Sequence, residues 1–361
     1  MASFKPIKSA VLGVGLGGMT FHIPFVLALP QYFTLHAVLE RNPASPGGKL
    51  GARFGAEKAK NVKIYHSYDE VLSDPEVELV FISTPSETHY ALAKLALEAG
   101  KHVLVDKPVT ATAQEAYELG DLAKAKGVVL YPFQNRRWDS DFLTLRKLLD
   151  LPPSDPKSLG TLVEFESRFD RYRATLKGTW KDLPIPANGL TYDLGAHTID
   201  QSLFTIFLHY PPRKAENGLQ PTSFTVILRG HILSVRSQQV RYVVRGLQGT
   251  YTKFGVDVQE DQLKVIPDPA QIAASESYGV EPESLWGTLE NLTTGDKIVK
   301  STWPSTERGN YAALFEDLAK TIREGKEQAV KWAESAEVIE IIELAYESTR
   351  EGRTITVPPR P

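Results

Sequence analysis

The sequence predicts a two-part α/β chain. An N-terminal doubly wound parallel sheet is followed by an α+β domain built on an open, largely antiparallel sheet. Three observations carry this expectation. Over the first 130 residues or so, short apolar runs alternate with helix-length amphipathic segments, the rhythm of parallel strands joined by helical crossovers. A glycine-rich string, Gly13-Val14-Gly15-Leu16-Gly17-Gly18, closes the first apolar run. After about Pro132 the pattern becomes alternation of apolar and charged residues, which fits a sheet covered on one face. The expected domains are residues 1–132 and 133–361.

In chain order, the first part should hold strands at 9–14, 35–39, 63–65, 79–83, 102–105 and 128–131. Several are continuously apolar, as strands buried on both faces must be. Helices are expected at 89–99 and 112–126, ending at Gly100 and Gly127, where a residue without Cβ closes a helix in the left-handed conformation. In the second part, residues 190–208 read as a helix and 161–170, 223–230, 239–245 and 251–256 as strands. Helices at 311–324 and 332–351 follow, with the helices of this part expected against one side of the sheet. Pro- and Gly-rich stretches at 42–51, 151–160 and 210–221 are expected surface loops. No internal repeat or low-complexity segment is evident.

Composition narrows the function. The chain has 361 residues, a formal net charge of -3, 42% hydrophobic and 24% charged residues and no cysteine. That balance gives no reason to expect nucleic acid or an anionic membrane as partner. Without cysteine there is no disulfide framework, thiolate metal site or thiol nucleophile. Lys5 and Lys8 before an apolar stretch imitate a signal peptide, but glycines break the stretch, which reads better as a strand entering a turn. No segment approaches the roughly 18 apolar residues that span a bilayer. The expectation is a soluble, cytoplasmic protein acting on a small molecule.

Gly13, Gly15 and Gly18 satisfy GxGxxG directly after a strand. There the first glycine allows the tight turn, the second lets a pyrophosphate approach the backbone and the third lets helix pack on strand. Glu40 lies 22 residues past Gly18 at the end of the second strand, where an acid accepts hydrogen bonds from the ribose hydroxyls of NAD. Arg41 beside it can instead accommodate the 2′-phosphate of NADP. The reading leans to NAD and leaves NADP open. Ser83-Thr84-Pro85 ends the fourth strand at its carboxyl edge, where ligands bind in open α/β sheets; a plain turn fits the string as well.

Asp106-Lys107-Pro108 follows the fifth strand at the same edge. Lys107 can hold a substrate hydroxyl and lower its pKa; a lone lysine beside an acid reads more readily as a surface residue. Asp193 and His197 stand four apart in an expected helix, so the carboxylate can steady an imidazole that takes a hydroxyl proton. An acid–histidine pair at this spacing also serves simply to stabilise a helix. Asp200, on the same helix, is a further candidate. Gln134-Asn135-Arg136-Arg137-Trp138-Asp139 follows the sixth strand, and its arginines and indole suit either an oxygen-rich ligand or interdomain ion pairs. No HExxH string or His-rich cluster calls for a metal.

These motifs together resemble the glucose–fructose oxidoreductase/inositol dehydrogenase/rhizopine catabolism (Gfo/Idh/MocA) family over almost the full length. The marks are the glycine fingerprint, Asp106-Lys107-Pro108 in place of the family's usual Glu-Lys-Pro, and Asp193 with His197. Within the family the chain looks most like a bacterial branch that includes an NADP-dependent scyllo-inositol dehydrogenase. The likeness there rests on the run from Asn135 to Thr144, on Phe169-Asp170-Arg171, on Thr20-Phe21-His22-Ile23-Pro24 and on Gly309-Asn310-Tyr311. Glu40-Arg41 departs from the small polar residues that suit NADP in that branch.

The resemblance implies a Rossmann domain and an α/β substrate domain that dimerises through its sheet. It implies Lys107, Asp193 and His197 as catalytic residues, with Arg136 and Tyr192 joining them around the substrate. The cofactor set becomes Gly13, Gly15, Gly17, Gly18, Phe21, Glu40, Arg41, Thr84, Pro85, His89, Lys107, Arg137 and Trp138. The activity so implied is NAD(P)-dependent hydride transfer at a secondary alcohol of a sugar, inositol or related polyol, in a homodimer or higher homo-oligomer. Two rival readings keep the fold: a non-catalytic dinucleotide-binding regulator, and an NAD-assisted glycoside hydrolase or lyase.

Overall fold

Six strands run parallel in the first sheet of the computed structural model, which describes residues 5–209, 224–293 and 296–358. They are β1 (Ile7–Leu12), β2 (Phe33–Leu39), β3 (Lys63–Tyr65), β4 (Leu79–Ile82), β5 (His102–Asp106) and β6 (Leu130–Phe133). Their spatial order is β3-β2-β1-β4-β5-β6. All four residues of β4 are fully buried, which is why that run carries no polar alternation. Strand order reverses between β1 and β4, so the chain leaves these two neighbours in opposite directions and opens a crevice at their carboxyl ends.

The crossover helices obey their local signals. Helix Ala113–Lys126 starts in a reciprocal cap: Thr112 accepts the Glu115 N–H at 3.2 Å, and the Glu115 carboxylate accepts the Thr112 N–H at 3.1 Å. It stops at Gly127, φ +66°, as the glycine signal implies. The segment after the glycine string begins as a π-helical turn, Gly18–His22, before becoming α-helical over Ile23–Ala28.

The second sheet is mixed and mostly antiparallel, in the order β12-β11-β10-β9-β7-β8. Its strands are β7 (Leu162–Arg168), β8 (Thr225–Arg229), β9 (Val240–Gly246), β10 (Gly249–Phe254), β11 (Gly287–Thr293) and β12 (Lys297–Trp303). Among the described residues only the β7–β8 pair of this sheet is parallel. Sequence patterning missed β11 and β12, because most of β12 is exposed and lacks an apolar face. Helix Ser140–Leu149 was also unforeseen; it covers this sheet through Phe142, Leu145 and Leu148. The expected helix 190–208 is two pieces, a π-helical turn Thr191–Gly195 and helix Ala196–His209. The expected loop at 42–51 already holds the start of helix Gly48–Phe54, and the one at 210–221 lies outside the described residues.

The last two helices do not lie against the second sheet as expected. Helix Ala312–Glu324 inserts Phe315 beneath the first sheet, stacked on Phe25 at 4.8 Å between ring centroids and edge-on to Phe33. Helix Trp332–Glu351 lies on the opposite side, with the Trp332 indole over Gly120. Their large apolar groups match recesses on the first sheet, and burial there drives the return. Among the described residues, no helix is long and apolar enough to cross a membrane.

A Cβ on Gly120 would stand 2.4 Å from the Trp332 ring. Gly120→Val is therefore expected to lower unfolding free energy by roughly 1–3 kcal/mol through overpacking. Urea denaturation followed by tryptophan fluorescence measures it, and unchanged stability would show that the indole moves aside freely.

Candidate active site

The glycine string is shaped by two different demands. Gly13 has φ +96°, and a Cβ there would lie 2.3 Å from the Ser83 carbonyl oxygen. A Cβ on Gly18 would lie 2.0 Å from the Gly13 carbonyl oxygen, and one on Gly17 2.3 Å from Ser83 Oγ. These three are required by the protein's own packing. Gly15 is not, since a Cβ there would meet nothing within 4 Å. The space it leaves opens into the crevice, beside backbone N–H groups at the start of a helical segment, and fits a dinucleotide pyrophosphate.

Glu40 stands at the end of β2 and faces the same cleft. Its Oε2 accepts the Lys49 N–H at 2.9 Å, and Gly48, φ +54°, is needed because a Cβ would strike that oxygen at 2.2 Å. The acid is thus fixed by the turn that follows it. Arg41 lies beside it on the cleft wall and is exposed.

Asp106, the last residue of β5, receives His22 Nε2 at 2.7 Å on one oxygen and donation from Ser83 Oγ at 2.7 Å on the other. Burial disfavours its charge, but the histidine and hydroxyl prevail and hold its pKa below the usual carboxylate value. The shorter acid therefore knits the glycine turn, β4 and β5 together. The following Lys107–Pro108 bond is cis.

Lys107 Nζ donates to the Asp193 backbone oxygen and, at 3.0 Å, to Asp193 Oδ1. Lys181 Nζ donates to the same Oδ1, also at 3.0 Å. Burial opposes the charge of Asp193, but the two lysines hold its pKa far below the usual range. Burial lowers the pKa of Lys107, and Lys181 and Arg136 add to this against the pull of Asp193. The i,i+4 spacing suggested that Asp193 would steady His197, and the geometry differs. Among the described residues no side-chain hydrogen bond joins them, and the carboxylate is committed to the lysines.

His197 is 5% exposed, and its ring lies 6.4 Å from that of Phe169, near parallel. Its Nδ1 is buried without a hydrogen-bond partner among the described residues. Burial, then Lys107 and Arg136, push its pKa well below the ordinary histidine value. The imidazole is held neutral and open to a proton.

The cleft holds about 860 Å³ and brings together Gly13, Gly15, Gly17, Phe21, Glu40, Arg41, Thr84, Pro85, His89, Lys107, Arg136, Asp193 and His197. His89 ties its rim: its ring nitrogens face the Pro108 and Thr84 carbonyl oxygens at 2.7 and 3.0 Å. Arg136 pairs with Glu260 at 2.7 Å and Asp139 at 3.3 Å. Four expected site residues stand apart from the cleft wall. Gly18 is buried beneath the turn. Arg137 is locked by Asp200 at 2.6 Å and Glu334 at 2.8 Å, so it and Asp200 form an internal tie. Trp138 packs against the core beside the Rossmann sheet, and the Tyr192 hydroxyl donates to the Ala111 carbonyl oxygen at 2.8 Å.

The sequence reading missed Lys181 and the residues around it. The signal was present in four cations within eleven residues, Arg171, Arg173, Lys177 and Lys181. Among the described residues one group of metal-ligand type, His36, Asp74 and Glu76, also forms. It lies off the cleft wall, and the Lys63 ammonium already sits 3.0 Å from Asp74 and 3.7 Å from Glu76.

Comparison with known proteins agrees with this geometry. The Gfo/Idh/MocA model for an oxidoreductase-family NAD-binding Rossmann fold matches residues 7–134. The same family's C-terminal alpha/beta domain model matches residues 223–357. An uncharacterized oxidoreductase of Schizosaccharomyces pombe is 37% identical over 97% of this chain and 98% of its own. The scyllo-inositol 2-dehydrogenase (NADP(+)) of Bacillus subtilis is 33% identical over 97% of this chain and 95% of its own. A solved oxidoreductase structure from Bacillus subtilis superposes with TM-score 0.83 at 32% identity, covering 98% of this chain and 99% of that one. The chain belongs to the Gfo/Idh/MocA oxidoreductase family and carries its NAD(P)-binding fold.

Gly15→Ala is expected to leave the melting temperature unchanged, because its Cβ enters open space, while weakening NAD(P)H binding tenfold or more. Gly18→Ala is expected to lower the melting temperature. Differential scanning calorimetry with nicotinamide fluorescence titration separates the two effects, and equal behaviour would refute the division.

Proposed function

We propose that this member of the family interconverts a secondary alcohol and its ketone on a sugar, inositol or related polyol, with NAD(P) as hydride partner. The observation that supports it is the placement of a desolvated Lys107 ammonium, anchored on Asp193, in one cleft with a neutral buried imidazole at His197. A regulator needs no such pair. Bound in the cleft, NAD(P)+ supplies the hydride acceptor. In oxidation the substrate O–H bond breaks, its proton passes to His197, and the carbonyl forms as hydride leaves the same carbon. Lys107 donates a hydrogen bond to that oxygen and stabilises the developing alkoxide. Asp193 keeps Lys107 charged and aimed. His89, Asp106 and Ser83 hold the backbone that carries Lys107, and Phe21, Thr84 and Pro85 border the cofactor space. Arg136, held at the cleft by Glu260 and Asp139, is available to a substrate hydroxyl.

Within this reading the cofactor is NAD. The Glu40 carboxylate faces the cleft with one oxygen held by Lys49 N–H; it accepts from ribose hydroxyls and repels a 2′-phosphate. The protein is taken to act in the cytoplasm as a homodimer or higher homo-oligomer. Leu292 on β11 and Ile298 opposite it on β12, both exposed, support association through the second sheet.

Fluorescence titration with NADH and NADPH tests the base of the proposal. NADH is expected to bind at least tenfold more tightly, with Glu40→Ser narrowing the gap. Binding of neither below roughly millimolar would end the oxidoreductase reading.

Turnover should vanish in Lys107→Ala and His197→Ala with cofactor binding retained; undiminished turnover in both would remove their assigned roles. The pH profile follows from the shifts. His197 accepts a proton only when neutral, so oxidation is lost as pH falls through its lowered pKa, and the acid limb lies below the ordinary 6.5. Lys107 acts as ammonium, so activity is lost as pH rises through its lowered pKa, and the alkaline limb lies below 10.5. Steady-state kcat/KM from pH 5 to 10 reads both limbs on the scale of ordinary side-chain values.

A further inference from the structure

The substrate end of the cleft is strongly cationic. Lys107, Arg136, Arg171, Lys177 and Lys181 line it, against two carboxylates, Asp193 and Glu260. Both acids are committed: Asp193 to Lys107 and Lys181 at 3.0 Å each, and Glu260 to Arg136 at 2.7 Å and Lys264 at 2.9 Å. Arg171 and Lys177 make no ion pair among the described residues.

Their segment is built, not adventitious. The chain from Arg171 to Arg173 is extended and bonded to the stretch around Ile232: Arg171 N–H donates to the His231 oxygen at 2.8 Å and Arg173 N–H to the Ile232 oxygen at 2.7 Å. The Arg171 guanidinium lies 5.5 Å over the Phe169 ring, the ring that also neighbours His197. Beyond it, the short turn Trp180–Asp182 is fastened by Asn188, whose side-chain nitrogen donates to the Trp180 and Leu183 carbonyl oxygens at 2.8 and 2.7 Å. This places Lys181 on Asp193. Asp182 faces Arg173 at 3.9 Å, and Asp170, next to Arg171 in the chain, has Oδ1 buried with no hydrogen-bond partner among the described residues. Lys177 sits among these cations, and burial followed by repulsion from Lys181 lowers its pKa. Uncompensated like charges in one place raise the energy of the empty site and lower it when an anion enters.

We propose that the substrate is an anionic polyol, its carboxylate or phosphate ester held by Arg171 and Lys177 while its reacting hydroxyl lies against Lys107 and His197. This rests on the polyol-oxidising reading and narrows its substrate class. Arg171 offers the planar fork that matches carboxylate or phosphate bidentately, and Lys177 adds a point charge. The Asp193-bound lysines stay with the reacting end, so the two cationic pairs divide the work.

The test is paired kinetics with NAD(P)+: glucose against glucuronate and glucose 6-phosphate, and myo-inositol against its monophosphate. At least tenfold higher kcat/KM for the anionic member of either pair is expected, with the carboxylate and phosphate arms telling the two anions apart. That ratio should fall toward one in Arg171→Glu and Lys177→Glu. Equal or better use of the neutral parents overturns the proposal and leaves the dehydrogenase reading standing. Loss of NADH binding in these variants would assign the two cations to the cofactor and overturn it as well. Should none of these compounds turn over, calorimetry on the NADH-loaded protein decides separately: tighter binding of the anionic members, lost in the variants, upholds the anion site while the polyol chemistry fails, and equal binding sinks the site.

Discussion

A lysine ammonium taken out of water organises this molecule. Lys107 leaves the carboxyl edge of the first sheet and meets Asp193 at the start of a helix that belongs to the second half of the chain. Desolvating that cation costs several kcal/mol, and only a well-placed carboxylate offsets the cost. The consequences spread outward. Asp106 must fix the strand end from which Lys107 departs, the glycine turn must sit close enough to share Ser83 with Asp106, and the histidine one turn beyond Asp193 is held neutral by burial and then by Lys107 and Arg136. The cleft is therefore one electrostatic unit assembled from both halves of the chain.

Behind the cleft lies a second layer of buried charge that holds the walls. Arg241 pairs with Asp141 at 2.9 Å, and Lys253 with Glu281 at 3.0 Å, all at or near zero exposure. Burial, and after it the nearby Asp141 charge, lifts Asp257 to about 6 and Glu281 to about 7. Asp139, which bonds Arg136 and accepts the Tyr311 hydroxyl at 2.6 Å, is pushed well above the usual carboxylate value by burial and by Asp257 and Asp141. Such networks are costly to half-fill but specify a single arrangement when satisfied. Here the arrangement fixes the Arg136 guanidinium on the cleft wall.

Much of this was legible in the sequence because the signals were local. The apolar run of β4, the glycines at 13 and 18, and the Thr112–Glu115 cap each state their own geometry within a few residues. Lys107, Asp193 and His197 were found as motif members, and the fold brought them into one cleft. What could not be read was which partner each charge would choose. Arg137 reads the same as Arg136 in sequence, yet one turns inward to Asp200 and Glu334 while the other reaches the cleft. Asp193 chose two lysines over its helical neighbour, one of them 86 residues away. The outer strands β11 and β12 escaped for a different reason: with little apolar surface to bury, their pairing is a backbone matter that side-chain periodicity does not record.

The path of the chain carries a further meaning. Phe315 and Trp332 come from the last fifty residues or so of the sequence, yet they close the two faces of the sheet laid down first. Topologically, the second sheet is an insertion, looped out of a nucleotide-binding core that the carboxyl-terminal helices then complete. A ribosome releasing the chain from its amino end thus presents the parallel sheet long before its lids exist. Final closure of that core must await those last helices, which couples the maturation of the nucleotide-binding half to the successful folding of the half inserted before them.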